Sequence, residues 1–193
     1  MLERKPAAPE RPCSGAAYLA SLSHILASMD MDAIDEGVAM VHRAWSAGTQ
    51  IITMGNGGSA VTALHYITDW NKAAFLAKKR PFRGRSLVDN IGLMTAYSND
   101  ISYESIFSEQ LANIAARGDL VIAISGSGNS PNIVKAVKLA NKMGCPTLGL
   151  CGFRGGALKQ LAAHSVWADV DDMQFCEDVH AIFGHVVMKS LVA

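Results

Sequence analysis

The chain has 193 residues, half of them hydrophobic and 18% charged, with 17 basic and 17 acidic side chains that cancel to a formal net charge of zero. That composition fits one globular domain with a full core and gives no electrostatic ground for a nucleic-acid or membrane-surface partner. No stretch approaches an uninterrupted membrane span, and the four cysteines, Cys13, Cys145, Cys151 and Cys176, show no CxxC pairing, so they are expected as reduced thiols of a cytoplasmic protein.

Residues 1–14 are charged and proline-containing, and are expected to form a flexible tail ahead of a single domain over 15–193. Ala16 to Ser28 and Met31 to Ala47 read as two amphipathic helices; in the second, Ile34, Val38, Val41 and Trp45 recur at helical spacing and Gly48 is a stop. From Thr49 onward strands and helices alternate. The expected strands are Thr49 to Met54, Arg85 to Asp89, Leu120 to Ile124, Pro146 to Cys151 and Ser165 to Val170. The expected helices are Ser59 to about Leu76, Ile91 to Ser98, Tyr103 to Ala116, Ser130 to Met143, Ala157 to Ala163 and Gln174 to Leu191, with Asn99-Asp100 in a turn. This alternation implies an α/β domain, a five-stranded parallel sheet doubly wound with helices and preceded by two helices. In the flavodoxin-like order 2-1-3-4-5, strands one and three are neighbours at the switch point, where ligands bind beyond the strand carboxyl ends.

Two small-residue turns fall at that point. Gly55-Asn56-Gly57-Gly58-Ser59 follows the first strand, and Ser125-Gly126-Ser127-Gly128-Asn129-Ser130 follows the third. A strand that feeds a helix through such a turn leaves backbone N–H groups pointing outward, which attracts an anion, phosphate above all. Ser59, Ser125, Ser127 and Ser130 add rotatable hydroxyl donors. Gly55, Gly57 and Ala60 also match the spacing of a dinucleotide fingerprint, but Asp69 comes too early and Asp89 too late for its acidic partner. A phosphosugar-sized ligand is therefore preferred to NAD.

Titratable groups collect on two helices. His65 and Asp69 are four apart, on one helix face about a turn above the first anion site; alone they could be a solvated pair. Glu177, Asp178, His180 and His185 interrupt an otherwise apolar closing helix. Glu177 and His185, eight positions apart, would be separated by roughly 12 Å in a regular helix and could hardly share one metal. Either Glu177 precedes the helix or a second subunit completes the site. His180 and His185 point to different faces.

These residues carry a resemblance to the sugar isomerase (SIS) domain family, specifically its sedoheptulose-7-phosphate (phosphoheptose) isomerase branch, from about the second helix to the end of the chain. It rests on Gly55 to Ala60, His65 with its i+4 acid, Asn99-Asp100, Phe107-Ser108-Glu109-Gln110, Ser125 to Ser130, Gly155-Gly156 and the closing acid-x-x-His-x-x-x-x-His. The resemblance implies a small phosphorylated sugar contacted by Asn56, Gly57, Gly58, Asn99, Asp100, Ser125, Gly126, Ser127 and Ser130. It implies a divalent metal, usually zinc, at His65, Asp69, Glu177 and His185, and a homotetramer with sites between subunits. Aldose–ketose isomerisation follows, with Asp69 or Glu177 removing the proton and His185 returning one to oxygen. The chain departs from the family in two places: Asp69 stands where the family has its glutamate base, one C–C bond (about 1.5 Å) shorter, and Glu177 where it has glutamine. Two histidines and two carboxylates still suit zinc. Alternatives are a non-catalytic member acting through protein contacts, like the replication-initiator-binding protein of this group, and an isomerase or epimerase of another phosphosugar.

Overall fold

The computed structural model describes residues 14–193; the expected tail, apart from Ser14, and Cys13 lie outside the described residues. Ser14 caps α1 (Gly15–Ala27) by accepting the Ala17 N–H, and Asp30 caps α2 (Met31–Ala47) by accepting from Ala33. Five strands follow, β1 (Ile51–Gly55), β2 (Gly84–Ser86), β3 (Leu120–Ser125), β4 (Thr147–Cys151) and β5 (His164–Trp167). All pair in parallel, in the order β2-β1-β3-β4-β5. This is the expected α/β architecture with the expected strand order. Every residue of β1, β3 and β4 is buried, because helices cover both faces of the sheet and the strands are near-continuous apolar runs. Each fully buried Ile or Leu there contributes about 1.5–3 kcal/mol of transfer free energy.

The helices between strands are α3 (Gly58–Lys78), α4 (Ile91–Asp100), α5 (Ser108–Ile114), α6 (Pro131–Met143), α7 (Gly156–Leu161) and the closing α8 (Met173–Val192). Three local expectations are corrected. Asn99-Asp100 forms the last turn of α4 rather than a connecting turn. The expected helix over 103–116 divides into a 3-10 turn at Tyr103–Ser105 and α5. The second strand stops at Ser86, where the Asp89 N–H bonds back to the Ser86 carbonyl in a turn leading to the Asn90 cap of α4.

One packing contact decides where the titratable residues go. Tyr66 and Trp70, one turn apart on α3, stack at 4.7 Å between ring centroids and are essentially fully buried against α8. Trp70 Nε1 donates to the Gly184 carbonyl at 2.9 Å, and the Tyr66 hydroxyl donates to the His180 carbonyl. A β-carbon on Gly184 would lie 2.0 Å from Tyr66 Cε1, so only glycine allows α8 this close to α3. Among the described residues no helix is long and apolar enough to cross a membrane.

Candidate active site

Register places the two small-residue turns side by side. Gly55, the last residue of β1, pairs with Ile124 of β3, so both turns leave the same end of adjacent strands, roughly 4.8 Å apart. They open on one crevice of about 290 Å³, just under the usual lower bound for small-ligand sites. Asn56, Gly57, Gly58 and Ser59 line one wall; Ser125, Gly126, Ser127 and Ser130 line the other; Met173 and Glu177 of α8 close it. Larger open grooves lie along the outer side of α3 and beside Phe153, but neither brings the two turns together.

The second turn is braced from behind. The Gly128 N–H bonds to the Ser125 carbonyl, the Gly152 N–H to Gly126, and the Leu158 N–H to Gly128. Gly128 has φ +64°, and a β-carbon there would strike the Gly155 carbonyl at 2.0 Å. Ser125 Oγ and Ser130 Oγ lie 3.4 Å apart, both turned toward the crevice wall. The first N–H groups of a helix have no intrahelical acceptor, so the start of α3 presents donors here. α6 begins with Pro131, which has no N–H, and its Ile133 N–H is taken by Asn132 Oδ1, so the second wall offers chiefly the N–H groups and hydroxyls of its turn.

A second group of donors sits farther along α3. His65 Nε2 lies 3.0 Å from His185 Nε2 and 3.5 Å from Asp69 Oδ2, and the ligand atoms of all three lie within 4.8 Å of one another. Ligand atoms about 2.0–2.1 Å from a tetrahedral zinc are separated by roughly 3.3 Å, so two imidazoles and a carboxylate at these spacings fit such an ion. The Tyr66–Trp70 face buries one side of α3, and positions 65 and 69 emerge beside it, next to the residue that follows Gly184. The cluster is open to solvent, the His65 side chain being 45% exposed.

Glu177 is not part of this cluster. It lies five residues inside α8, whose cap is Asp172, so the possibility that it precedes the helix is removed. Its carboxylate packs on Gly58, 2.3 Å from where a β-carbon of that glycine would stand, and so belongs to the crevice. Asn99 and Asp100 do not line the crevice either; they are exposed at the end of α4, where Asn99 Nδ2 donates to Asp100 Oδ1 at 2.9 Å. His180, on another face of α8 as expected, is 1% exposed, and neither ring nitrogen finds a hydrogen-bond partner among the described residues. Burial holds its imidazole down to about 4, and the neighbouring Cys151 backbone offsets this only in part.

Sequence reasoning missed Met173, which packs its sulfur on Gly126, and Asn132 and Tyr103, which bond to Asn56. A methionine at a helix start and an asparagine behind a proline carry no signal of such contacts.

Comparison with known proteins agrees with the geometry. The family model for the SIS domain matches residues 17–152. The chain is 36% identical to the phosphoheptose isomerase of Citrifermentans bemidjiense over 155 residues, covering 80% of each protein. It is 35% identical over 147 residues to a probable phosphoheptose isomerase of Thermoplasma acidophilum, covering 76% of this chain and 80% of that one. The fold matches that of the phosphoheptose isomerase GmhA from Neisseria gonorrhoeae with a TM-score of 0.83 at 21% identity, over 91% of this chain and 95% of the other.

Proposed function

Because the chain belongs to the SIS domain family, we propose that it is an aldose–ketose isomerase of a phosphorylated sugar, converting sedoheptulose 7-phosphate to D-glycero-D-manno-heptose 7-phosphate. The observation that carries this reading is the pairing of a two-walled anion crevice with a carboxylate inside it and a His/Asp/His cluster on the same two helices. The phosphate is held through the backbone N–H groups of the two turns and of the start of α3 and the hydroxyls of Ser59, Ser125, Ser127 and Ser130.

His65, Asp69 and His185 are the residues that would hold a divalent ion, zinc by the nature of the donors. Such an ion supplies Lewis acidity at the sugar carbonyl. A carboxylate bound to a dication is a poor base, and a ring nitrogen that ligates cannot also carry a proton. On those grounds Glu177, free of the cluster and facing the crevice, is the base that removes the C1 proton beside the carbonyl and, after exchange with solvent, delivers a proton to C2, while the proton of the C1 hydroxyl passes to the C2 oxygen. Asp69 and His185 act as ligands rather than as the base and acid expected from the sequence.

The separation of Glu177 from His185 along α8 supports a homo-oligomer, a tetramer by family precedent, in which the partner subunit's Glu177 meets this cluster. Exposed apolar side chains flank the cluster, Val61 and Leu64 on α3 and Val186 on α8, as an interface between copies requires. Cys145, Cys151 and Cys176 are free and buried, in keeping with a reducing cytoplasm. The test is turnover: zinc-loaded protein interconverts the ketose and aldose heptose phosphates, and Asp69→Ala abolishes the reaction. Absence of turnover on every ketose phosphate offered refutes the reading.

A further inference from the structure

Asn56, which lines the crevice, and Asn132, which lies behind it, are 76 residues apart in sequence, and their side-chain amides meet. Asn56 Nδ2 donates to Asn132 Oδ1 at 2.8 Å, and Asn132 Nδ2 donates back to Asn56 Oδ1 at 2.9 Å. Asn56 Oδ1 also accepts from the Tyr103 hydroxyl at 2.9 Å, while Asn132 Oδ1 accepts the Ile133 N–H at 3.0 Å. Asn132 is 1% exposed. A reciprocal amide pair engages a donor and the acceptor of both side chains, so neither amide can turn without breaking three bonds at a part-buried place.

The positions of the two residues give the pair its meaning. Asn56 lies inside the first turn, directly after β1, and Asn132 is the second residue of α6, directly after the second turn. Parallel strands fix where the turns begin but not how far α3 and α6 splay beyond them. An anion gripped from both walls needs donors from each within ordinary hydrogen-bond range, so a change in the spacing of the walls weakens the grip. The segment carrying Tyr103 is itself tied to α6, since Lys135 Nζ donates to Ser105 Oγ at 2.8 Å.

We propose that the Asn56–Asn132 amide pair, steadied by Tyr103, is a clamp that sets the spacing of the two anion-binding turns, and that Asn132 is a positioning residue for the sugar phosphate. The proposal rests on the phosphosugar reading of the crevice. It also changes the role expected for Asn56: its side-chain amide is engaged by the protein, so the first turn meets the ligand through its backbone and the Ser59 hydroxyl.

The experiment uses the full, zinc-loaded chain and three variants, Asn56→Leu, Asn132→Leu and the double substitution. Two quantities are read, KM for sedoheptulose 7-phosphate and the Kd of inorganic phosphate by calorimetry. The clamp predicts that each single variant raises both by about tenfold with kcat little changed, because placement of the phosphate affects ground state and transition state alike. The double variant then loses no more than either single one, since all three break the same device. A single variant that keeps wild-type KM and phosphate affinity overturns the clamp, and so does a double variant whose loss is the product of the two.

Should leucine at position 132 prevent folding, Asn132→Asp and Tyr103→Phe replace it, the first keeping the side chain's shape and the second altering an exposed residue. No change in either readout for both of these also overturns the clamp. Failure of the functional reading looks different: a wild-type protein that binds phosphate but turns nothing over, with binding weakened by Asn132→Leu, removes the isomerase and keeps the clamp. A wild-type protein that binds no phosphate removes both.

Discussion

Asp69 and Glu177 differ less in chemistry than in surroundings. Asp69 shares its space with two imidazoles, whereas Glu177 lies against Gly58 at the mouth of the anion crevice. If Glu177 is the base, Glu177→Gln lowers kcat by about a hundredfold or more while bound zinc, measured by elemental analysis, stays at the wild-type level. Asp69→Asn loses zinc and activity together. Full activity in Glu177→Gln would return the base to Asp69. His180 makes a separate prediction about pH. Folded, its imidazole is held down to about 4 from an ordinary 6.5, so between those values the unfolded chain binds the extra proton. Stability that is intact above pH 6.5 is therefore lost as the pH falls toward 4. Melting temperature followed from pH 7 to pH 5 falls in the wild type, and His180→Leu flattens that part of the curve; an unaltered slope contradicts the assignment.

The contact between α3 and α8 places the site. Gly184 lets the helices approach until Tyr66 and Trp70 stack beneath α8, and the same approach brings His185 to His65. Gly184→Ala puts a methyl group where Tyr66 stands, and overpacking of this kind costs about 1–3 kcal/mol. The account predicts a lower melting temperature together with weaker zinc binding, because the ligands are carried apart. A destabilised variant with unchanged zinc affinity would show that the cluster does not depend on this packing.

This is also the scale at which sequence reading succeeds and fails. The strand order and the meeting of the two turns were legible, since β1 and β3 are apolar runs that end in glycine and serine, and the handedness of parallel crossovers leaves few topologies. The incompatibility of Glu177 and His185 on one ion was legible from helical rise alone. The end of α4 was not, because Asn99-Asp100 has turn chemistry but the helix simply continues through it. The clamp was not legible either. Asn56 and Asn132 become partners only when two distant crossovers bring α3 and α6 together, and no local pattern records that.

For the whole molecule, the homo-oligomer proposed above would complete the open cluster, with its exposed apolar neighbours, by a second copy. Co-expression of Asp69→Ala and Glu177→Ala chains tests it. Each is inactive alone, but a mixed oligomer contains sites with an intact cluster from one chain and an intact Glu177 from the other. Recovery of a substantial fraction of wild-type activity is expected; none at all would mean that each chain builds its site alone.

Incubation of the zinc-loaded protein with sedoheptulose 7-phosphate in heavy water, followed by NMR, tests the enzyme most directly. The account predicts an aldose heptose 7-phosphate carrying deuterium at C2, made by the wild type and not by Asp69→Ala. A substrate that stays unconverted, or a product formed equally well by that variant, would contradict it.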